Sequence, residues 1–282
     1  MIKASLKILF FILSLQIYSQ DLVVMTYNIR LDVDSDKENA WPHRQDFLLS
    51  MLRFYSPDVF GIQEGLPHQV SFINEQLSNY SYVGMGREGG NKGEYAAIFY
   101  DTTNLSIKTQ GTFWLSTTPN EYSLGWDAAL PRICTYALFE QKKSGIRFWV
   151  FNTHFDHIGI EARTKSSELI LSKIRELNSR DKLPVVLMGD FNAVPESQTI
   201  HTIKRAMNDT REVSISVPFG PEGTFNGFEF GKTNRDRIDY VFVSKSMNIQ
   251  VDKYGILNNS KDLRYPSDHF PVYVELEIKN KP

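Results

Sequence analysis

A chain of 282 residues, 41% hydrophobic and 23% charged, can bury a sizeable core as one large domain or two small ones. A net charge of −2 excludes the strongly basic footprint of a protein that coats nucleic acid, though not an enzyme that touches a short piece of backbone. The single cysteine, Cys134, excludes an intramolecular disulfide, so stability must come from packing.

Lys3 and Lys7 precede and border the apolar run Ile8 to Leu15, which gives way to small and polar residues by Ser19 and Gln20. The pattern predicts a secretory signal peptide over residues 1–20, since the run is short for a membrane span of about 20 residues. Its removal takes away two lysines and no acid, moving the net charge from −2 to −4. Residues 21–282 are expected to be a single exported domain, periplasmic or extracellular, without stable membrane insertion and acting as a monomer.

Leu22 to Ile29 reads as a strand that delivers Asn28 at its end. Trp41 to Tyr55 has helical spacing and stops before Pro57, and Asp58 to Glu64 is a second strand ending in a carboxylate. Pro67 opens a helix through Leu77. Five glycines in 84–93 predict a loop, after which Glu94 opens a strand, Tyr95 to Tyr100. Ser116 to Pro131 reads as a surface loop between Phe113-Trp114-Leu115 and a strand from Arg132 to Ala137. Arg147 to Thr153 leads into His154-Phe155-Asp156-His157, followed by a helix over 161–178.

Val185 to Met188 is a continuous apolar run, as suits a strand buried on both faces; it ends in Gly189-Asp190-Phe191-Asn192. If the extended geometry persists, Asp190 and Asn192 point into one cleft; otherwise they form a turn, as these residues often do. Residues 197–207 read as helix, 219–234 has no clear period, and Asp236 to Val243 is a strand carrying Asp239. Asp268 and His269 precede the last strand, Val272 to Ile278. The pattern gives one mixed α/β domain with parallel and antiparallel strands under helices.

Six segments thus place polar groups beside core strands: Asn28, Glu64, His154, Asp190 with Asn192, Asp239, and Asp268 with His269. Such groups are expected to converge on one cleft at a sheet edge. An inventory rich in oxygen, with no cysteine cluster, favours a hard cation such as Mg²⁺ or Mn²⁺ over structural zinc. The basic pair Lys142-Lys143 reads as a solvated face, and His43, His68, His157 and His201 as structural.

The ordered motifs Thr26-Tyr27-Asn28, Gln63-Glu64, Asn152-Thr153-His154, Gly189-Asp190-Phe191-Asn192, Arg237-Ile238-Asp239-Tyr240 and Ser267-Asp268-His269-Phe270-Pro271-Val272 span nearly the whole mature chain. The set resembles the endonuclease/exonuclease/phosphatase superfamily, which includes DNase I-like nucleases, abasic-site endonucleases, neutral sphingomyelinases, inositol polyphosphate 5-phosphatases and deadenylases. The resemblance implies an α/β (α+β) four-layer sandwich, two mixed β-sheets flanked by helices, with a metal-dependent site at one edge.

Residue by residue, the resemblance implies Glu64 as the main Mg²⁺ ligand, with Asn28 and Asp268 contributing directly or through water. Mn²⁺ is an alternative. Asp239 would fix the tautomer of His269 against the scissile phosphate, Asp190 would orient or deprotonate the attacking water, and Asn192 and His154 would donate to phosphoryl oxygens. Glu94 matches the carboxylate that orients the second histidine. Arg30 departs from the abasic-site endonucleases, which carry a carboxylate there, and this favours one metal over two. Gly111 to Ser116, with Gly125-Trp126-Asp127 and Arg132, resembles a bacterial branch with poorly defined substrates. There Arg132 would clamp a phosphate, Trp126 would stack on a sugar or base, and Asp156, two residues after His154, would face the same cleft.

The expected activity is Mg²⁺-dependent hydrolysis of a phosphodiester or phosphomonoester by in-line attack of water, without a covalent intermediate. The ester can belong to a small molecule, a lipid head group, a glycan phosphate or a nucleic acid. This leaves open a secreted DNase or RNase and a sphingomyelinase-like or sugar-phosphate activity. A module that binds a phosphate ligand without chemistry is the alternative outside enzymes, although every expected site position is filled.

Overall fold

The computed structural model describes residues 19–233, 235–246 and 248–279; the apolar run assigned to a signal peptide lies outside them. In chain order the elements are β1 (Ser19–Asn28), α1 (Trp41–Tyr55), β2 (Val59–Gln63), α2 (Pro67–Gln76), β3 (Tyr80–Val83), β4 (Ile98–Asp101), β5 (Leu105–Trp114), β6 (Ile133–Gln141), β7 (Arg147–His154) and α3 (Ile160–Leu177). There follow β8 (Val185–Asp190), α4 (Gln198–Ala206), β9 (Met207–Asp209), α5 (Thr210–Val213), β10 (Asp239–Ser244), β11 (Ile249–Ile256) and β12 (Val272–Lys279). They form two six-stranded mixed sheets, ordered β11-β12-β1-β2-β4-β3 and β5-β6-β7-β8-β10-β9.

Alternation along the strands produces the layers. Val24 and Val59 of the first sheet meet Val150, Val186 and Val241 of the second in the inter-sheet core. The opposite faces, with Met25, Tyr27 and Phe60 on one sheet and Phe151, Leu187 and Phe242 on the other, pack on α1 with α2 and on α3 with α4. β8 is buried along its whole length, and its unbroken apolar run serves both cores.

Each sheet centre is a parallel pair, β1 with β2 and β7 with β8. Asn28 aligns with Gln63, and His154 with Asp190, so the carboxyl ends of both pairs deliver polar residues. β10 runs antiparallel to β8 and starts opposite its end, aligning Asp239 with Asp190. The loop before β12 adds Asp268 and His269.

Beneath this edge the two sheets share a polar bridge. Gln63 donates to Thr26 Oγ1 at 3.0 Å and to Asn152 Oδ1 at 2.7 Å; Asn152 Nδ2 donates to the carbonyls of Ile62 and Ala97, each at 2.9 Å. A Cβ on Gly61 would lie 2.5 Å from Asn152 Cγ, so glycine is needed for this close approach. Asn152→Ala would leave two carbonyls and one amide donor of Gln63 without these partners in a dry interior. A loss of about 3 kcal/mol of unfolding free energy is expected by urea titration; a change below about 0.5 kcal/mol would contradict the bridging role.

Several elements depart from expectation. The strand predicted from Tyr95 begins at Ile98, because Tyr95 makes isolated bridges to Gly65 and Gly86. Residues 236–238 precede β10 without being part of it, since Ile238 and Asp239 donate their N–H groups to Thr224 Oγ1.

Candidate active site

Asn28 is the hub of the cleft. Its Oδ1 accepts from the Arg30 N–H at 3.0 Å, turning Nδ2 to donate to Glu64 Oε1 and Asp190 Oδ2, both at 3.0 Å. A buried amide with its oxygen held by the backbone thus meets Glu64 and Asp190 as a donor. Glu64 follows β2 with φ 63°, and its Oε2 accepts from the Leu31 N–H at 3.1 Å. Asp268 stands on the far side of Arg30, whose guanidinium is 3.8 Å from Asp268 and 3.9 Å from Glu64 while paired with Asp36 at 2.8 Å.

His269 Nδ1 lies 2.8 Å from Asp239 Oδ2, and its Nε2 is 3.4 Å from Asn28 Nδ2 and 3.9 Å from Asp190 Oδ2. Burial alone would lower the basicity of this ring. The charge and hydrogen bond of Asp239, with Asp190 and Asp268 nearby, outweigh burial and hold the imidazolium well above its ordinary range. Phe225 meets the ring edge-on at 5.1 Å.

Asp190 makes a turn and reaches the cleft at once. Oδ1 accepts from the Asn192 N–H at 2.9 Å, while Oδ2 takes Asn28 and lies 3.6 Å from His154 Nε2. Asn192 has φ 47°, so the extended geometry does not persist; its amide donates to the Phe155 carbonyl at 2.9 Å, and the residue still lines the cleft. Burial first, then the Asp239 charge, push the Asp190 carboxyl up to about 7, against the opposing pull of His269. A folded-state pKa raised from the ordinary 3.8 gives stability that is present at low pH and lost as pH rises toward 7. In EDTA, Asp190→Asn should therefore gain on the wild type by on the order of 2 kcal/mol between pH 4 and pH 7, read by chemical unfolding. A pH-independent difference would contradict a strained carboxylate.

On the opposite wall, Arg132 Nη1 lies 3.0 Å from His154 Nδ1, Arg132 Nη2 lies 3.1 Å from His157 Nδ1, and Nε is 3.4 Å from Asp156 Oδ2. Burial, then the Arg132 charge, keep His154 well below its ordinary range and neutral. Glu94 lies 3.9 Å from the same Nδ1 and forms a bidentate pair with Arg87 at 2.6 and 2.9 Å, so the nearer partner of that nitrogen is Arg132. Asp156 is buried, is not among the residues lining the cleft, and accepts from the N–H groups of Leu130, Ile158 and Gly159. Trp126 is half-buried at φ 46° and is not among the residues lining the cleft.

The cleft encloses about 410 Å³ and brings together Arg30, Glu64, Arg87, Glu94, Arg132, His154, Asp190, Asn192, Asp268 and His269. Sequence reasoning missed Phe225 and Thr224, which come from the aperiodic 219–234 segment, and the lining role of Arg87 and His157. The five glycines of 84–93 were the only signal for Arg87; nothing in the local pattern marked the others.

The donor set fits a hard divalent cation, because the cleft offers carboxylates and Cys134 is buried in the core. Among the described residues, Asp190, Asp239 and His269 present ligand atoms within 4.8 Å of one another, a group that could hold a metal ion. Glu64 and Asp268 add a second carboxylate pair around Arg30.

Residues 25–269 match the Endonuclease/Exonuclease/phosphatase family. An endonuclease/exonuclease/phosphatase family protein of Bacteroides thetaiotaomicron superposes with TM-score 0.89 at 38% identity, over 93% of this chain and 97% of that one. A mannosyl-6-phosphatase of the same organism gives TM-score 0.86 at 40% identity, covering 90% and 99%. The exoribonuclease subunit Ccr4 of the CCR4-Not complex from Aspergillus niger is 22% identical over 86% of this chain, which spans 48% of that protein.

Proposed function

This chain belongs to the endonuclease/exonuclease/phosphatase family, and from that premise we propose that it is an exported, divalent-metal-dependent phosphomonoesterase acting on a sugar phosphate. The observation that carries the chemistry is the 2.8 Å Asp239–His269 pair facing Asp190, with Asn28 joining Asp190 to Glu64. The substrate class is supported by the mannosyl-6-phosphatase likeness and by a cleft of about 410 Å³, the size of a small-molecule site. Export is supported by Lys3, Lys7 and the apolar run Ile8 to Leu15. Among the described residues no helix is long and apolar enough to cross a membrane.

Glu64 and Asp268 would hold the cation, Mg²⁺ or Mn²⁺, as a Lewis acid that neutralises charge on the phosphate. His269 and Asp239 are assigned to acid–base work, because their 2.8 Å pair fixes the ring with Nε2 turned toward Asn28 and Asp190 in the cleft. Asp190, with its basicity raised toward neutrality, takes a proton from water as the water attacks phosphorus. The His269 imidazolium and the neutral His154 donate to phosphoryl oxygens as charge gathers there. Asn28 keeps Asp190 aimed at the water, and the P–O bond breaks opposite the attacking oxygen, the leaving oxygen taking a proton from solvent to give the alcohol while Asp190 releases to solvent the proton it took.

The test is hydrolysis by residues 21–282 of a hexose 6-phosphate, p-nitrophenyl phosphate, bis(p-nitrophenyl) phosphate, RNA, plasmid DNA and sphingomyelin, with Mg²⁺, Mn²⁺ or EDTA. Metal-dependent turnover highest on the monoesters is expected. Preference for RNA or DNA would overturn the substrate class in favour of a nuclease, the reading to which the Ccr4 likeness points.

A further inference from the structure

Arg132 is 5% exposed and carries five N–H donors with no acceptor. Two of its nitrogens lie 3.0 and 3.1 Å from the Nδ1 atoms of His154 and His157. Both Nδ1 atoms must therefore be lone-pair acceptors, and both rings carry their proton on Nε2. One guanidinium thus sets two imidazoles in the same tautomer.

The two rings differ in where that proton goes. His154 is buried with Nε2 3.6 Å from Asp190, at the reacting end of the cleft. The His157 side chain is 50% exposed and lines the same cleft one guanidinium farther out. Asp156 fixes this placement: Oδ1 accepts from the Ile158 and Gly159 N–H groups, forming the turn that carries His157, while Oδ2 anchors Arg132. An N–H at that outer position would meet the part of a substrate that projects outward from a phosphate held near Asp190 and His269.

We propose that His157 is a specificity residue whose Nε2–H, set by Arg132, donates to a hydroxyl oxygen on the leaving alcohol of a polyol phosphomonoester. This rests on the phosphomonoesterase reading above. The experiment compares a hexose 6-phosphate with phenyl phosphate, whose leaving group has no hydroxyl beyond the ester oxygen. In His157→Ala the ratio of kcat/KM values, hexose phosphate over phenyl phosphate, should fall about tenfold through KM, the size of one hydrogen bond. His157→Gln, which keeps an N–H donor, should restore part of the ratio. An unchanged ratio, or equal loss on both esters, would overturn the proposal.

The tautomer gives an independent readout. In ¹⁵N-histidine-labelled protein His157 should show protonated Nε2 and bare Nδ1, shifting to a mixture in Arg132→Met, or in Arg132→Leu should the first variant not fold. A His157 tautomer unaltered in the folded variant would overturn the positioning role of Arg132. Failure of the wild type on every phosphomonoester would instead fault the activity itself, which the same assay shows before any variant is compared.

Discussion

Glu64→Ala should lower metal-dependent turnover by at least about 10³-fold, because a Lewis acid contributes several kcal/mol and each 1.4 kcal/mol is tenfold. Glu64 leaves β2 in the left-handed region, φ 63°, which aims its carboxylate between Asn28 and the Leu31 N–H. The substitution should remove binding of Mn²⁺ followed by its own paramagnetic signal, not only activity. Stability should hold, since Asn28 Nδ2 retains Asp190 and the repulsion between Glu64 and Asp268 is relieved. Glu64→Gln keeps the hydrogen-bonding shape and loses the charge, so it should be nearly as inactive. A Gln variant with wild-type metal affinity would show that the cation sits elsewhere, with the Asp190, Asp239 and His269 group as the next candidate.

The second large effect belongs to the His269–Asp239 pair. His269→Ala should cost roughly 10²–10⁴ in kcat, the usual range for removing a positioned proton-transfer or charge-stabilising group. Asp239→Asn can still accept the Nδ1–H but removes the charge that keeps the ring protonated against burial. The sign follows: with the ring pKa lowered, the imidazolium survives only at lower pH, so the basic limb of the pH–rate profile should move downward. The double variant should lose little more than His269→Ala, because the two residues act as one unit. Additive losses would mean that Asp239 works apart from His269.

How much of this was legible in the chain depended on burial. Strands that enter the core on both faces, such as Val185 to Met188, are unbroken apolar runs, and the abrupt polar residues at their ends marked the site. β3 and β5 at sheet edges carry mixed sequences such as Leu105-Ser106-Ile107-Lys108, and no strand was read over β3, most of β5 or β11. Side-chain partners were harder than positions. The carboxylate expected on His154 is Glu94, yet Arg132, twenty-two residues away in sequence, reaches that nitrogen first. Nothing local reports this, because it depends on the pairing of β6 with β7 placing Arg132 beside the end of β7. Asn192 likewise keeps its place in the cleft by another route than extended strand geometry: the turn closed by Asp190 Oδ1 ends the strand, yet the residue still lines the cleft.

The most direct measurement is steady-state hydrolysis of the preferred phosphate ester by wild type, Glu64→Ala and His269→Ala, each with Mg²⁺ and with EDTA. Turnover by the wild type that vanishes in EDTA and falls at least about a hundredfold in both folded variants is the predicted result. Turnover that persists in EDTA, or in either folded variant at the wild-type rate, would contradict the assignment of this cleft as the metal-dependent catalytic centre.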